Sequence, residues 1–209
     1  MSTGMTCFAS CDWGFNQPGC VLWWVVLSDS HYHIWREYKF QGQVVSDVGR
    51  EIKKRTKDLG LKLSYLVADP AMWQHTGAGR GEAIAETLQR MGLPMRRGDN
   101  DRKNGWQRVH ELLRPAPDGL PWLTVEAAPH CTYLRRTIAS AMSDKIDPDD
   151  VDTKGDDHAL DALRYGAMSR PPIGRQVSEA AKDSFMTVGW LKSRAAATSG
   201  QFGREVRVA

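Results

Sequence analysis

The chain of 209 residues lacks a paired-cysteine motif, a long apolar run and a nucleotide-binding glycine loop. Its four cysteines, Cys7, Cys11, Cys20 and Cys131, form no C-x-x-C pair, so the usual zinc-ligand spacing is missing. Reduced thiols in the core of a cytoplasmic protein are the expectation. The longest apolar run, "CVLWWVVL" from Cys20 to Leu27, has the length of a strand. It is far short of the roughly 20 residues that cross a bilayer. No signal-peptide pattern and no internal repeat are visible. The only glycine-rich piece, Gly77 to Gly81, is not followed by Lys-Ser/Thr, so the P-loop is missing and ATP hydrolysis is not expected.

Hydrophobic residues make up 41% and charged residues 25%, which fits a soluble domain with one sizeable core. The net charge is only +3, but its distribution is uneven. Arg50 to Lys62 holds six basic residues against two acidic, and Arg80 to Arg114 holds eight against five. Asp144 to Asp161 holds eight Asp against two Lys. A basic body with one concentrated acidic segment suits a polyanionic ligand and a cation site.

Strand signals dominate the start, at 5–14, 19–29 and 31–40, joined by turn-rich pieces. Val45, Val48, Ile52 and Leu59 then fall at helical spacing, predicting an amphipathic helix over 43–59. "LSYLVADP" (63–70) reads as a buried strand closed at Asp69-Pro70. A loop at 75–81 leads to a helix near 81–91, then an extended piece at 93–98. Helices are expected at 100–114, 130–141 and 157–169, with a strand or hairpin piece at 121–125 and an Asp-rich linker at 143–156. Residues 171–209, rich in Ala, Ser and Gly, read as a basic, poorly ordered tail. Strands followed by alternating helix and strand predict an α/β fold whose sheet mixes antiparallel and parallel strands.

Three acidic points carry chemistry. Asp12 ends the first strand, Asp69 ends the fourth, and Asp157, His158 and Asp161 open the last helix. Ligands of α/β sheets gather at the carboxyl ends of strands. If strands one and four are parallel neighbours, Asp12 and Asp69 lie side by side, and two such carboxylates repel unless a cation separates them. His158 and Asp161 are three apart on a helix and share a face; Asp157 and Asp161 are four apart and do the same. Oxygen-rich ligation with an occasional imidazole suits Mg²⁺ or Mn²⁺. Such a site fits two-metal phosphodiester hydrolysis, with the basic helices holding phosphates. Each aspartate also has a structural reading: turn chemistry for Asp12 and Asp69, a helix-start charge for Asp157.

Several blocks resemble, in order, the nuclease domain of tailed-phage large terminase subunits: "DWGF" (12–15), "VADPAMW" (67–73), "GDNDRKNGWQRVHELLR" (98–114), "PWLTVEAAPHCTYLRRTI" (121–138) and "DVDTKGDDHALDALRYG" (150–166). A similar helix occurs in RuvC-type resolvases. The resemblance implies an RNase H-like fold over 1–170, with a central mixed five-stranded sheet flanked by helices. It also implies metal-dependent endonuclease cleavage of concatemeric double-stranded viral DNA in the host cytoplasm. By this resemblance Asp12, Asp69, His158 and Asp161 are the catalytic metal ligands for two Mg²⁺ or Mn²⁺ ions, with Asp157 an alternative ligand. Arg102, Lys103 and Arg108 are the expected phosphate contacts. The implied partners are an ATPase motor domain, a portal and a small terminase subunit, with no membrane and a monomeric domain. The chain is thus expected to be an excised nuclease domain, with Met1 to Met5 a remnant of its start. Two rivals are a junction resolvase and a non-catalytic DNA- or portal-docking module of the same fold.

Overall fold

The computed structural model describes residues 6–27, 31–75, 81–142 and 157–170. The expected Asp-rich linker (143–156) and tail (171–209) lie outside the described residues. Strands β1 (Thr6–Asp12), β2 (Gly19–Val26) and β3 (Tyr32–Phe40) open the fold as an antiparallel meander. Helix α1 (Val45–Asp58) crosses to β4 (Leu63–Ala68), which lies parallel to β1. A 3₁₀ turn (Pro70–Trp73), α2 (Ile84–Arg90) and β5 (Met95–Arg97) follow. Then come α3 (Arg102–Leu113), β6 (Leu123–Val125), α4 (Thr132–Ser140) and α5 (His158–Met168).

The described strands form one sheet in the order β5-β4-β1-β2-β3-β6. The mixed sheet agrees with the sequence expectation, but it has six strands, not five. The added edge strand is β6, three residues running parallel to β3, with Tyr32 opposite Leu123. A strand that short shows too few alternations for periodicity to separate it from a loop.

Helices cover both faces, which explains why β2 reads as an unbroken apolar run. Alternation along β1 divides the core. Phe8 packs with Leu22, Trp24, Ile34 and residues of α3, α4 and α5, whereas Cys7, Ala9 and Cys11 pack with Val21, Trp23 and residues of α1 and α2. The two buried indoles find acceptors on opposite sides: Trp23 Nε1 donates to Thr56 Oγ1 at 2.9 Å and Trp24 Nε1 to Ser10 Oγ at 2.8 Å. Helix α5 buries Ala159, Leu160, Ala162, Leu163 and Tyr165. Each large apolar side chain so buried contributes roughly 1.5–3 kcal/mol. Its Gly166 lets the helix approach β2, since a Cβ there would stand 2.3 Å from Trp24 Cζ2. All four cysteines are free and buried. Among the described residues no helix is long and apolar enough to cross a membrane.

Candidate active site

Ser10 and Asp12 share the β1 face that carries Phe8, the face covered by α5. Cys11 is paired with Ala68 in the parallel ladder, and Asp69 N donates to Cys11 O at 3.3 Å. The next register position therefore sets Asp12 beside Asp69. Strand β4 stops at Ala68 because Pro70 has no N–H to continue the ladder. Asp69 caps the 3₁₀ turn instead, its Oδ1 accepting from Ala71 N at 2.7 Å.

Helix α5 begins against this strand end. His158 Nδ1 lies 2.7 Å from Asp12 Oδ2, placed for its N–H to donate to the carboxylate. Asp161, one turn on, accepts from two arginines. Arg102 Nη1 reaches its Oδ1 at 3.1 Å and Oδ2 at 3.3 Å, and Arg164 Nε reaches Oδ1 at 3.1 Å. Asp157 is the residue before the helix. Its backbone carbonyl accepts from Asp161 N at 2.9 Å, but its side chain makes no capping bond.

Asp12 is 6% exposed. Burial pushes its carboxyl from 3.8 up to about 6; the His158 bond opposes this, while the charges of Asp161 and Asp69 add to it. Burial, and then the charge of Asp161, also raise Asp157. Asp12, Asp69 and Asp161 thus lie within electrostatic reach of one another. Among the described residues, however, no three His, Cys, Asp or Glu side chains are grouped closely enough to hold a metal ion together. The partners explain this. Asp161 is turned to its arginines, and Asp69 is engaged at Ala71.

The three expected phosphate contacts part company. Lys103 is exposed, and Arg102 is half-buried against Asp161. Arg108 turns inward, 7% exposed, with Nη1 on Glu111 Oε2 at 3.1 Å, which corrects its expected place on a solvent-facing surface. Sequence reasoning also missed Arg164. It is fully buried, with Nη1 3.4 Å from Asp99 O and Nη2 3.4 Å from Asn100 Oδ1. Its signal was present, because Arg164 follows Asp161 by three on one helix. Arg97 went unremarked as well. It pairs with Ala68 in the β4–β5 ladder, one register position before Asp69, exposed and with its guanidinium over the Trp73 ring.

No family model and no curated protein matches the chain by sequence. Solved structures do match by fold. The full-length large terminase of a thermophilic bacteriophage superposes with a TM-score of 0.63 at 20% identity, over 78% of this chain and 39% of that one. The P22 large terminase nuclease domain gives 0.60 at 18% identity, over 79% and 81%. The large terminase nuclease of the thermophilic phage G20c, solved with bound zinc, gives 0.50 at 18% identity, over 77% and 79%. The chain therefore has the RNase H-like fold of phage large terminase nuclease domains. It spans about two-fifths of the length of the first of these, the full large terminase.

Proposed function

We propose that this chain is the nuclease domain of a phage DNA-packaging terminase, cutting double-stranded DNA with divalent metal and little sequence preference. The observation that carries the reading is the buried Asp12 carboxylate, set beside Asp69 by the β1–β4 register and faced by His158 and Asp161. Acidic groups that raise one another's pKa in a buried place call for a cation. The donor chemistry, carboxylate oxygens with one imidazole, fits Mg²⁺ or Mn²⁺. Asp12, Asp69 and Asp161 would hold such ions, with His158 or Asp157 completing the set. Bound there, divalent ions supply an activated water and charge neutralisation at the leaving 3′ oxygen.

The protein's own contribution is positional. Asp12 is fixed by the central strand and by His158. Asp161 is oriented by Arg164. Exposed Lys103 and Arg97 flank the strand end, where they suit contacts to phosphate that carry no sequence information. A motor domain, portal and small subunit belong to the same reading as partners of the longer protein, and the host cytoplasm as its place of action.

Plasmid nicking in Mg²⁺ or Mn²⁺ tests it. The wild type should nick, and Asp12→Asn and Asp69→Asn should each lower the rate at least about 100-fold, since even outer-shell losses cost 10–100-fold. Undiminished nicking by both variants, or none by the wild type, would overturn the proposal. Faster cutting of a four-way junction than of linear duplex would favour a resolvase instead.

A further inference from the structure

Asp161 is held by two arginines of unlike freedom. Arg164 is completely buried, its stem laid against Gly105 so tightly that a Cβ there would meet Arg164 Cγ at 2.5 Å. Its guanidinium rests 4.4 Å from the Tyr165 ring and within reach of Asp99 O and Asn100 Oδ1. It cannot turn away without unpacking α3 from α5. Arg102 differs. It is the first residue of α3, its side chain is 27% exposed, and its Nη1 spans both oxygens of Asp161. Asp101 caps the helix beside it by accepting from Asn104 N, so the backbone under Arg102 is fixed while the side chain has open solvent to enter.

We propose that Arg102 is an exchangeable counter-ion of Asp161. It neutralises the carboxylate in the metal-free protein, yields it to a divalent cation, and then presents its guanidinium to a DNA phosphate beside that cation. Arg164 keeps the carboxylate aimed at Asp12 while the exchange takes place. This rests on the metal-site reading above and adds what that reading lacks, a reason why the ligand set is not closed in the absence of metal. A guanidinium is fully charged at any working pH and forms a planar fork to carboxylate or phosphate, so one side chain can serve both partners in turn. The exchange also ties site assembly to substrate: a departing Arg102 needs a new anion, and DNA supplies one.

Mn²⁺ affinity, measured calorimetrically on the metal-free chain without DNA, tests this apart from cleavage. Arg102→Gln removes the competitor and should bind Mn²⁺ about five-fold more tightly than wild type, the scale of losing one partly exposed ion pair. Lys103→Gln removes an equal charge one residue away without touching Asp161, and should leave the affinity within about two-fold. Thermal unfolding of the variants checks that the fold is intact. Affinity in Arg102→Gln equal to or below wild type overturns the exchange, as does an equal gain in Lys103→Gln, which would make the effect general electrostatics. If the wild type binds Mn²⁺ and Asp12→Asn does not, the metal reading survives either of those failures. If the wild type takes up no Mn²⁺, both fall together.

Discussion

At the scale of the residue, the site opposes the fold that carries it. Asp12 has its carboxyl pushed from 3.8 up to about 6, with burial the first cause. The folded chain therefore keeps a proton that the unfolded chain releases. Stability from this group is present below about pH 4 and lost as pH rises through about 6. Asp12→Asn should stabilise the metal-free protein by roughly 1–3 kcal/mol at pH 7.5, with the gain shrinking towards pH 4. Urea unfolding at the two pH values measures it, and the sign is opposite to the variant's effect on cleavage. Glu126 behaves in reverse. Its His33 partner holds it down to about 2 from an ordinary 4.5, so its stabilising share is present above about pH 4.5 and fades as pH falls towards 2. Glu126→Gln should be less stable than wild type at neutral pH and indistinguishable from it near pH 2. Arg164 makes the third case. Arg164→Met leaves Asp161 without its buried partner and should cost about 3–5 kcal/mol, the usual penalty for breaking a buried pair.

At the scale of the element, periodicity shows which segments are helices and strands, while tertiary contacts set their ends. The α1 stripe of Val48, Ile52 and Thr56 is readable because one face is buried and the other is lysine-rich. The second strand ends at Val26, earlier than its apolar run implies, because Leu27 N turns back to His31 O at 2.8 Å. Helix α4 shows what no local pattern contains. Its N-terminal residue Cys131 makes no side-chain cap. The cap comes from Glu37 on β3, whose carboxylate accepts from Tyr133 N at 2.6 Å and Leu134 N at 2.8 Å. Glu37→Ala should cost about 1–2 kcal/mol, combining the loss of a cap with that of an anion at a helix start. Helix α5 depends on a close approach instead. A Cβ on Gly166 would strike a Trp24 ring already pinned to Ser10, so Gly166→Ala should cost about 3 kcal/mol as overpacking. Denaturant titration of both variants separates a lost cap from a strained contact, because the latter also loosens the Asp12 site that α5 overlies.

At the scale of the whole molecule, the acidic points were legible as residues but not as a place. Asp12 and Asp69 are 57 positions apart in the sequence, and only the Cys11–Ala68 register makes them neighbours. The arginines at Asp161 were illegible for a related reason: Arg102 arrives from a separate helix, and Arg164 sits in an otherwise apolar pattern that reads as core. Once assembled, the carboxylates occupy one end of the sheet, with exposed Arg96, Arg97 and Lys103 on elements beside it. DNA meets attraction from the flanks and repulsion from the centre. Without metal the repulsion is uncompensated, because phosphate must approach ionised Asp12 and Asp69 in a poorly solvated place. Removing both charges should therefore raise the metal-free affinity for a short duplex about ten-fold in Asp12→Asn/Asp69→Asn, measured by fluorescence anisotropy at about 0.1 M salt, where such forces still reach about 10 Å. Adding Mn²⁺ should reverse the order, since the wild type gains a cation beneath the phosphate and the variant does not. A double variant that binds no more tightly than wild type without metal would mean that phosphates do not come to these carboxylates, and the proposed cutting site would have to lie elsewhere on the sheet.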